Sequence, residues 1–431
     1  MLTAEPRSTA RWTPLAGWWR LWSAFLLVAV GGLAQAQYDK PFRFWETRGW
    51  SIQEGLPQSH ISALEQGPED YLWVGTQVGL ARFDGVRYET FVTDSTPGLA
   101  GNYIHALFRD STDRLWIGTH NGVSLFDTSA FSDLGEEFDG PVHGFAERLD
   151  GTVAAAAPGL PVLEPDGRAR HLLPRVQVRS VAAAGNDLYA GSQGLLVRIV
   201  DGSEVETWPL PPAYVDQPIE SLAWHDDRLW VMTDQATLTF AAGRFGVATG
   251  PDGNPLPGGS KLWVDHHGTL WISTYGRIFR RLGEDRWDVI GEAELGWFPW
   301  ILALTEDHEG NIWLGSGTNG LFRAWPGWYN QWSQDEGLSD TFVWSMHPAR
   351  EGGLWIGMKT GVDRFDDGRF RTVVDAGDLP NPSAYTLLET ASGDLLLGTE
   401  AGLAVRTLDG ATPIDGFPAV GTVYSLREPT P

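Results

Sequence analysis

A short phrase recurs along the whole chain and constrains its fold more than any other feature. Its clearest copies read LWVGT at residues 72–76, LWIGT at 115–119 and IWLGS at 312–316. From Trp230 to Leu396 the copies follow one another every 41 or 42 residues. A regular period of that length is typical of repeat proteins in which each unit is one supersecondary structure.

Each repeat has the pattern of four short strands. In the first repeat an apolar segment at 61–64 is followed by the Trp segment, by a third segment at 80–83 and by an outer segment at 87–91. Asp84-Gly85, between the last two, is a strong hairpin signal. Four antiparallel strands in about 40–45 residues are the signature of a β-propeller blade. We expect the repeated tryptophans to pack between blades.

The pattern restarts at the eighth repeat, because WSIQEGLPQSHI at 50–61 recurs as WSQDEGLSDTFV at 332–343. We therefore predict an all-β chain, with a seven-bladed β-propeller of four-stranded antiparallel blades at residues 37–330. Residues 331–431 are predicted to begin a second, incomplete propeller with two blades plus one strand at Val423–Leu426. We expect the chain to be the front part of a longer product, since an unfinished propeller exposes a sheet edge.

The first 36 residues have the pattern of a secretory signal peptide. Arg7, Arg11 and Arg20 precede an apolar run at 21–34, and Ala34-Gln35-Ala36 offers small residues for cleavage. The run has about 14 residues, whereas a membrane-spanning helix needs about 20. An uncleaved anchor is the alternative. The mature protein is predicted to be periplasmic or extracellular.

Charge and composition exclude several function classes. The formal net charge of −24 argues against nucleic acids and anionic membrane surfaces as partners, because both would be repelled. The chain has no cysteine, which excludes disulfides, thiolate zinc sites and cysteine nucleophiles. It contains no G-x-S-x-G, P-loop or H-E-x-x-H motif. We therefore predict no catalytic residue, no cofactor and no metal site, and expect that the chain by itself is not an enzyme.

Two acidic and histidine-rich turns have the chemistry of metal ligands. Asp265-His266-His267 and His308-Glu309 occupy equivalent turns of neighbouring repeats, and imidazole and carboxylate suit divalent ions. The favoured interpretation is that they are exposed turn residues. Asp110-Ser111-Thr112-Asp113 lacks the glycine and glutamate of a calcium loop, so a polar turn explains it better.

The residue directly before the first strand varies between blades while the surrounding frame stays the same. The first strand of a propeller blade is innermost, so this position opens toward one mouth of the central channel. Such variation is what a surface adapted to a ligand would show, and ordinary variable loop residues are the alternative. The predicted ligand-binding residues are His60, Tyr103, His105, His143, Trp297 and Trp300.

The repeat frame resembles the two-component regulator propeller family. DHEGNIWL at 307–314 and LARFDG at 80–85 carry the resemblance most clearly. The resemblance implies two seven-bladed propellers, a small β-sandwich and a membrane helix, followed by a cytoplasmic histidine kinase or a GGDEF-type diguanylate cyclase. It further implies an extracytoplasmic ligand-sensing input module, whose output domain is absent from this sequence. Membrane attachment would then come only through a missing C-terminal segment.

Two other functions remain open from the sequence. One is a metal-dependent propeller lyase or hydrolase resembling streptogramin lyases, which share phrases such as Gly310-Asn311-Ile312-Trp313. Such an enzyme would need a histidine and a carboxylate converging on a divalent metal at the channel. The other is a protein-interaction scaffold. The expected partner is a small polar ligand, neutral or cationic, with carbohydrate as a candidate, or a periplasmic protein. A homodimer is a further candidate.

Overall fold

The computed structural model describes residues 40–200, 204–283, 286–327, 332–334, 337–379, 381–407, 410–413 and 421–427. The signal-peptide segment at 1–36 lies outside these residues. The chain divides into two compact units, Met1–Trp328 and Tyr329–Pro431. Within the described ranges, no helix has both the length and the apolar character needed to cross a membrane.

The first unit is almost entirely β-structure. Its described helices are the single turn α1 (Glu292–Leu295) and the 3₁₀ turns Phe42–Phe44, Ile52–Glu54, Pro68–Asp70 and Gly135–Phe138. Its strands are β1 (Trp45–Trp50), β2 (Ile61–Gln66), β3 (Leu72–Thr76), β4 (Leu80–Phe83), β5 (Tyr88–Phe91), β6 (Ile104–Arg109), β7 (Leu115–Thr119), β8 (Val123–Phe126), β9 (Phe131–Asp133), β10 (Phe145–Glu147), β11 (Val153–Ala155), β12 (Pro161–Leu163), β13 (Ala169–His171), β14 (Ser180–Ala184), β15 (Asp187–Gly191), β16 (Leu195–Val200), β17 (Glu204–Pro209), β18 (Ser221–His225), β19 (Arg228–Met232), β20 (Thr237–Ala241), β21 (Arg244–Val247), β22 (Gly259–Val264), β23 (Leu270–Thr274), β24 (Arg277–Arg281), β25 (Trp287–Ile290), β26 (Ile301–Glu306), β27 (Ile312–Ser316) and β28 (Leu321–Pro326).

These strands form seven four-stranded antiparallel sheets, which we number as blades one to seven in chain order. Six of them use four consecutive strands, from β2–β5 to β22–β25. The seventh has the order β26-β27-β28-β1, so the N-terminal strand β1 supplies its outer edge. In that pairing Trp45 lies opposite Pro326 and Trp50 opposite Leu321. The prediction of an all-β propeller of four-stranded antiparallel blades is confirmed.

The first strands of the blades surround a central channel. Neighbouring first strands contact one another in the order β2, β6, β10, β14, β18, β22 and β26, and β26 contacts β2 again. This ring of contacts and the pairing of β1 with β28 both join the beginning of the unit to its end.

The glycine of the repeated phrase allows neighbouring blades to approach closely. A Cβ atom on Gly75 would lie 2.7 Å from Cγ2 of Ile104, the first residue of the next blade's inner strand. A Cβ atom on Gly118 would likewise lie 2.9 Å from Cγ1 of Val142, which precedes the inner strand of blade three. Blade five has Met232 instead of this glycine, and the next inner strand starts with Gly259 instead of a branched residue. Met232 is fully buried there and belongs to the same core cluster as Leu256 and Leu262, so the space between the blades is filled.

We expect Gly75→Ala to destabilise the protein by about 1–3 kcal/mol, because the added methyl group overpacks the contact with Ile104. The free energy of unfolding in urea measures this. Gly144→Ala is the matched control, since its Cβ would meet nothing nearer than 3.9 Å. Adding Ile104→Ala to Gly75→Ala should cost less than the sum of the two single changes. Additive losses would show that the glycine is not there for close approach.

The aspartate that precedes the repeated tryptophan by six residues holds the indole. Asp110, Asp265 and Asp307 accept a hydrogen bond from Nε1 of Trp116, Trp271 and Trp313 at 2.7–2.8 Å. Asp110 also accepts backbone N–H groups of its own turn, from Thr112 and Arg114 at 3.0 Å. The carboxylate therefore holds both the turn and the tryptophan that packs between blades. This explains the acidic turn without a calcium ion.

The second unit contains two further four-stranded sheets. Beside the 3₁₀ turn Ala376–Asp378, its strands are β29 (Val343–Pro348), β30 (Leu354–Met358), β31 (Gly361–Asp366), β32 (Arg369–Asp375), β33 (Thr386–Glu389), β34 (Leu395–Thr399), β35 (Gly402–Thr407) and β36 (Gly410–Pro413).

The predicted strand at Val423–Leu426 is wrong, because residues 421–427 have no strand conformation. The Val423 backbone N–H nevertheless donates to the Thr399 carbonyl at 3.0 Å. A Cβ atom on Gly398 would lie only 2.9 Å from Cγ1 of Val423. Val423 thus contacts Gly398 as Ile104 contacts Gly75, although the described residues 421–427 pair as no strand.

Candidate functional site

The predicted site residues lie where inner strands begin. Tyr103 directly precedes β6, and His60 and Trp300 directly precede β2 and β26. Since all inner strands run the same way along the channel, their starting points share one mouth. At His105 a register shift between Ile104 and Ala106 forms a β-bulge, and the imidazole lines the channel there.

Blades two and three bring together an aromatic and imidazole cluster at this mouth. The ring centroid of His105 lies 4.2 Å from that of Tyr103 and 5.2 Å from that of His143. His120 completes the cluster, with its Nδ1 3.4 Å from Nε2 of His105. We call Tyr103, His105, His120 and His143 the imidazole cluster.

His60 and Trp300 form a second pair, between blades one and seven. Their ring centroids are 6.3 Å apart in an edge-to-face arrangement. Nδ1 of His60 donates to the Gly317 carbonyl at 3.0 Å, which leaves Nε2 as an acceptor when the ring is neutral. These five predicted residues thus form two groups at the starts of blades one, two, three and seven.

A pair of glutamines connects the two groups. Gln58, two residues before His60, accepts from the backbone N–H of Gln77 at 3.0 Å. Nε2 of Gln77 in turn lies 3.4 Å from the Tyr103 hydroxyl. The polar rim therefore continues from blade one to blade two.

Trp297 does not join this rim. Its ring stacks on Phe322 with centroids 4.4 Å apart and packs against the buried core between blades six and seven. Its role is therefore packing in the loop before β26.

Three further residues of the rim, Gln58, Gln77 and His120, are not among the residues predicted from the sequence. Gln77 and His120 directly follow the second strand of their blades, after LWVGT and LWIGT. That position also varies along the chain, with Gln193, Asp234 and Tyr275 in other blades. The same contrast between a constant frame and a changing residue would have identified it.

The environment keeps the His105 and His143 imidazoles uncharged near neutral pH. Burial, together with the charges of His143 and His120, lowers the pKa of His105 to about 4. Burial also lowers the pKa of His143, and the Arg179 guanidinium acts in the same direction. Neutral imidazoles offer one donor and one acceptor each, which suits hydroxyl groups of an uncharged ligand.

Below the mouth, the channel forms a cavity of about 490 Å³ lined by all seven inner strands. Its charged lining residues alternate in sign around blades one to six. Arg179 and Glu220 pair at 3.0 Å, and Nε of Arg109 pairs with Asp113. The alternating residues are Glu65, Arg109, Glu147, Arg179, Glu220 and Lys261.

A histidine and carboxylate group lies where the inner strands end. His266 and His267 each place a ring nitrogen 3.5 Å from a carboxylate oxygen of the buried Glu306. Nδ1 of His308 instead contacts Nε2 of Gln66 at 2.5 Å. Across the described ranges, no three His, Cys, Asp or Glu side chains are arranged to hold a metal ion.

This architecture defines a β-propeller protein with a polar, aromatic mouth and a charged channel. Residues 98–121, which include the start and the Trp strand of blade two, match the family model described as two component regulator propeller. The sequence-based resemblance to this family is confirmed by that match. None of the curated proteins compared with the chain matches it.

Solved structures share the fold. The extracellular domain of the hybrid two component system BT3049 from B. thetaiotaomicron superposes with a TM-score of 0.67 at 20% identity, covering 86% of this chain and 54% of that one. The extracellular domain of BT4673 gives 0.54 at 19% identity, covering 85% and 52%. A streptogramin B lyase gives 0.53 at 14% identity, covering 66% and 99%. The chain thus spans about half the length of the two-component domains.

Proposed function

We propose that the chain is an extracytoplasmic ligand-sensing propeller, the input module of a two-component or cyclic-di-GMP signalling protein. The observation that carries this proposal is the continuous rim of aromatic, imidazole and amide side chains at one mouth. It runs from Trp300 and His60 through Gln77 to Tyr103 and His143. The fold shared with extracellular domains of two-component systems supports it.

The rim favours a small, uncharged polar ligand. Aromatic faces pack on apolar ring surfaces, while neutral imidazoles and amides hydrogen-bond to hydroxyl groups around them. A carbohydrate ring combines both kinds of surface. We propose a neutral sugar or a similar hydroxyl-rich ring as the ligand. A segment of a periplasmic protein is the alternative occupant of the same rim.

Isothermal titration calorimetry with maltose, cellobiose and lactose tests this function. We expect at least one of these sugars to bind, and we expect Tyr103→Ala and Trp300→Ala each to weaken its binding roughly tenfold, since each removes one aromatic packing surface. Tyr424→Ala is the matched control, because this tyrosine is exposed and lies in the second unit.

Binding of a sugar with unchanged affinity by both rim variants would contradict the proposed site. Absence of binding by all three sugars would contradict the proposed ligand class. In either case a pull-down with the rim variants as matched baits would then test the protein partner.

A further inference from the structure

The cavity contains one of only three lysines in a chain with 28 arginines. Lys261 belongs to β22 of blade six and lies opposite Ser273 of the neighbouring strand. The same place in four other blades holds a small residue: Ala63, Ala106, Ser180 and Ala303. A long cationic side chain at a position that otherwise takes alanine or serine is not needed for blade packing.

Lys261 differs from the other cations of the cavity in lacking a counter-charge at close range. Arg109 pairs with Asp113, and Arg179 pairs with Glu220. In the described part of the chain, no carboxylate oxygen lies within 4 Å of the Lys261 ammonium. Lys261 is half-buried, so its cation is partly withdrawn from water without a close partner, and a bound anion would offset that cost.

Glu65 of blade one lines the same cavity as Lys261, and the charges of the two side chains act on each other. Burial raises the pKa of Glu65 to about 8, although the charges of Arg109 and Lys261 oppose this shift. Burial likewise lowers the pKa of Lys261, against the attraction of Glu65. At neutral pH the Glu65 carboxyl is therefore mostly protonated and can donate a hydrogen bond instead of neutralising the lysine.

We propose that Lys261 and Glu65 form a binding site for a small carboxylate-bearing ligand inside the channel. The ligand carboxylate pairs with the Lys261 ammonium and accepts a hydrogen bond from the protonated Glu65 carboxyl. Aromatic and aliphatic side chains of the inner strands, including Phe108, Phe145 and Trp263, line the same cavity and pack on the rest of the ligand. This carboxylate site is separate from the sugar site proposed at the rim.

Benzoate is the probe, and benzamide and benzylamine are its neutral and cationic counterparts of the same shape. With only three lysines, ¹³C-labelling of lysine gives three side-chain signals, which single substitutions assign. We expect benzoate to shift the Lys261 Cε signal and to bind at least about tenfold more tightly than benzamide, as a charge-assisted hydrogen bond requires. Benzylamine is expected not to bind.

Three variants complete the test. Lys261→Gln should weaken benzoate binding roughly tenfold or more, whereas Glu65→Gln, which keeps a donor, should retain it at pH 7 within about threefold. Lys359→Gln is the control, because this exposed lysine lies in the second unit. Benzoate binding that leaves the Lys261 signal unmoved, equal binding by Lys261→Gln, or preference for benzylamine would each overturn the proposal.

The rim variants separate this site from the proposed function. Tyr103→Ala and Trp300→Ala should leave benzoate binding within about twofold of the parent, since neither removes the charge-assisted contact at Lys261. A parent protein that binds benzoate at Lys261 but binds none of the sugars would refute the sugar proposal alone. A parent protein that binds a sugar at the rim but does not bind benzoate would refute the carboxylate site alone.

Discussion

Trp116→Ala is expected to lower the free energy of unfolding by about 3–5 kcal/mol, the usual range for emptying a large buried aromatic site. Trp116 is fully buried, and its ring packs against Phe138 and Phe145 between blades two and three. The substitution also removes the indole donor from Asp110, a buried carboxylate. Urea unfolding followed by circular dichroism measures the loss. A loss below about 1 kcal/mol would show that the packing of this tryptophan between blades contributes little to stability.

Trp73 provides a matched comparison for the hydrogen-bonded part of this effect. It is equally buried, but Gly67 stands where Asp110 precedes Trp116, and the Trp73 Nε1 atom has no hydrogen-bond partner. Trp→Phe removes similar volume at both positions. We expect Trp116→Phe to cost about 1–3 kcal/mol more than Trp73→Phe, because only the former removes a hydrogen-bond donor from a buried carboxylate. Equal losses of unfolding free energy for the two variants would show that the hydrogen bond between Trp116 and Asp110 does not stabilise the fold.

The repeat phrase predicted the fold class because each element of it has a local physical reason. Three residues of the repeat lie within one strand or turn of each other in sequence. They are the tryptophan, the glycine that lies against the next blade and the aspartate of the turn. The pairing of β1 with β28 was not predictable in this way. It joins residues about 280 positions apart, and residues 45–50 do not repeat the blade phrase.

The candidate site was predictable only where its signal is local. The variable position before each inner strand identified His60, Tyr103 and Trp300, which the structure places at the mouth. Proximity in sequence to Trp300 predicts Trp297 at the same mouth, but its ring stacks on Phe322 against the core instead. Lys261 and Glu65 could not be predicted as a pair, because they come to line one cavity only when blade seven closes the ring between blades six and one.

A buried arginine attaches the N-terminal segment to blade six. Arg280 has no exposed side-chain surface and lies 3.1 Å from Asp288, its partner on the adjacent strand. It also donates to the Lys40 carbonyl at 2.6 Å and sits over the Trp45 ring at 4.8 Å. Asp288 in turn accepts the backbone N–H of Phe42. The pair thus holds the residues that lead into β1, the strand that completes the seventh sheet.

Arg280→Met is expected to cost about 3–5 kcal/mol at pH 7.5, because it leaves Asp288 as an uncompensated buried charge. Burial already raises the pKa of Asp288 against the opposing charge of Arg280, so removing the arginine raises this pKa further. A carboxyl whose pKa is higher in the folded than in the unfolded protein destabilises the fold as pH rises through that value. The loss of unfolding free energy caused by Arg280→Met should therefore be smaller at pH 5 than at pH 7.5.

Controls separate the buried charge from lost packing. The double variant Arg280→Met, Asp288→Asn should be more stable than Arg280→Met alone at pH 7.5, because the unpaired carboxylate is gone. Arg168→Met, at an arginine whose side chain is 70% exposed, should change stability by less than about 1 kcal/mol. Amide hydrogen exchange should show β1 opening before the other strands in Arg280→Met. The contrary result would be a loss of unfolding free energy that does not depend on pH, with β1 as protected from exchange as in the parent. The arginine would then contribute packing only, and the β1–β28 pairing would close the ring without it.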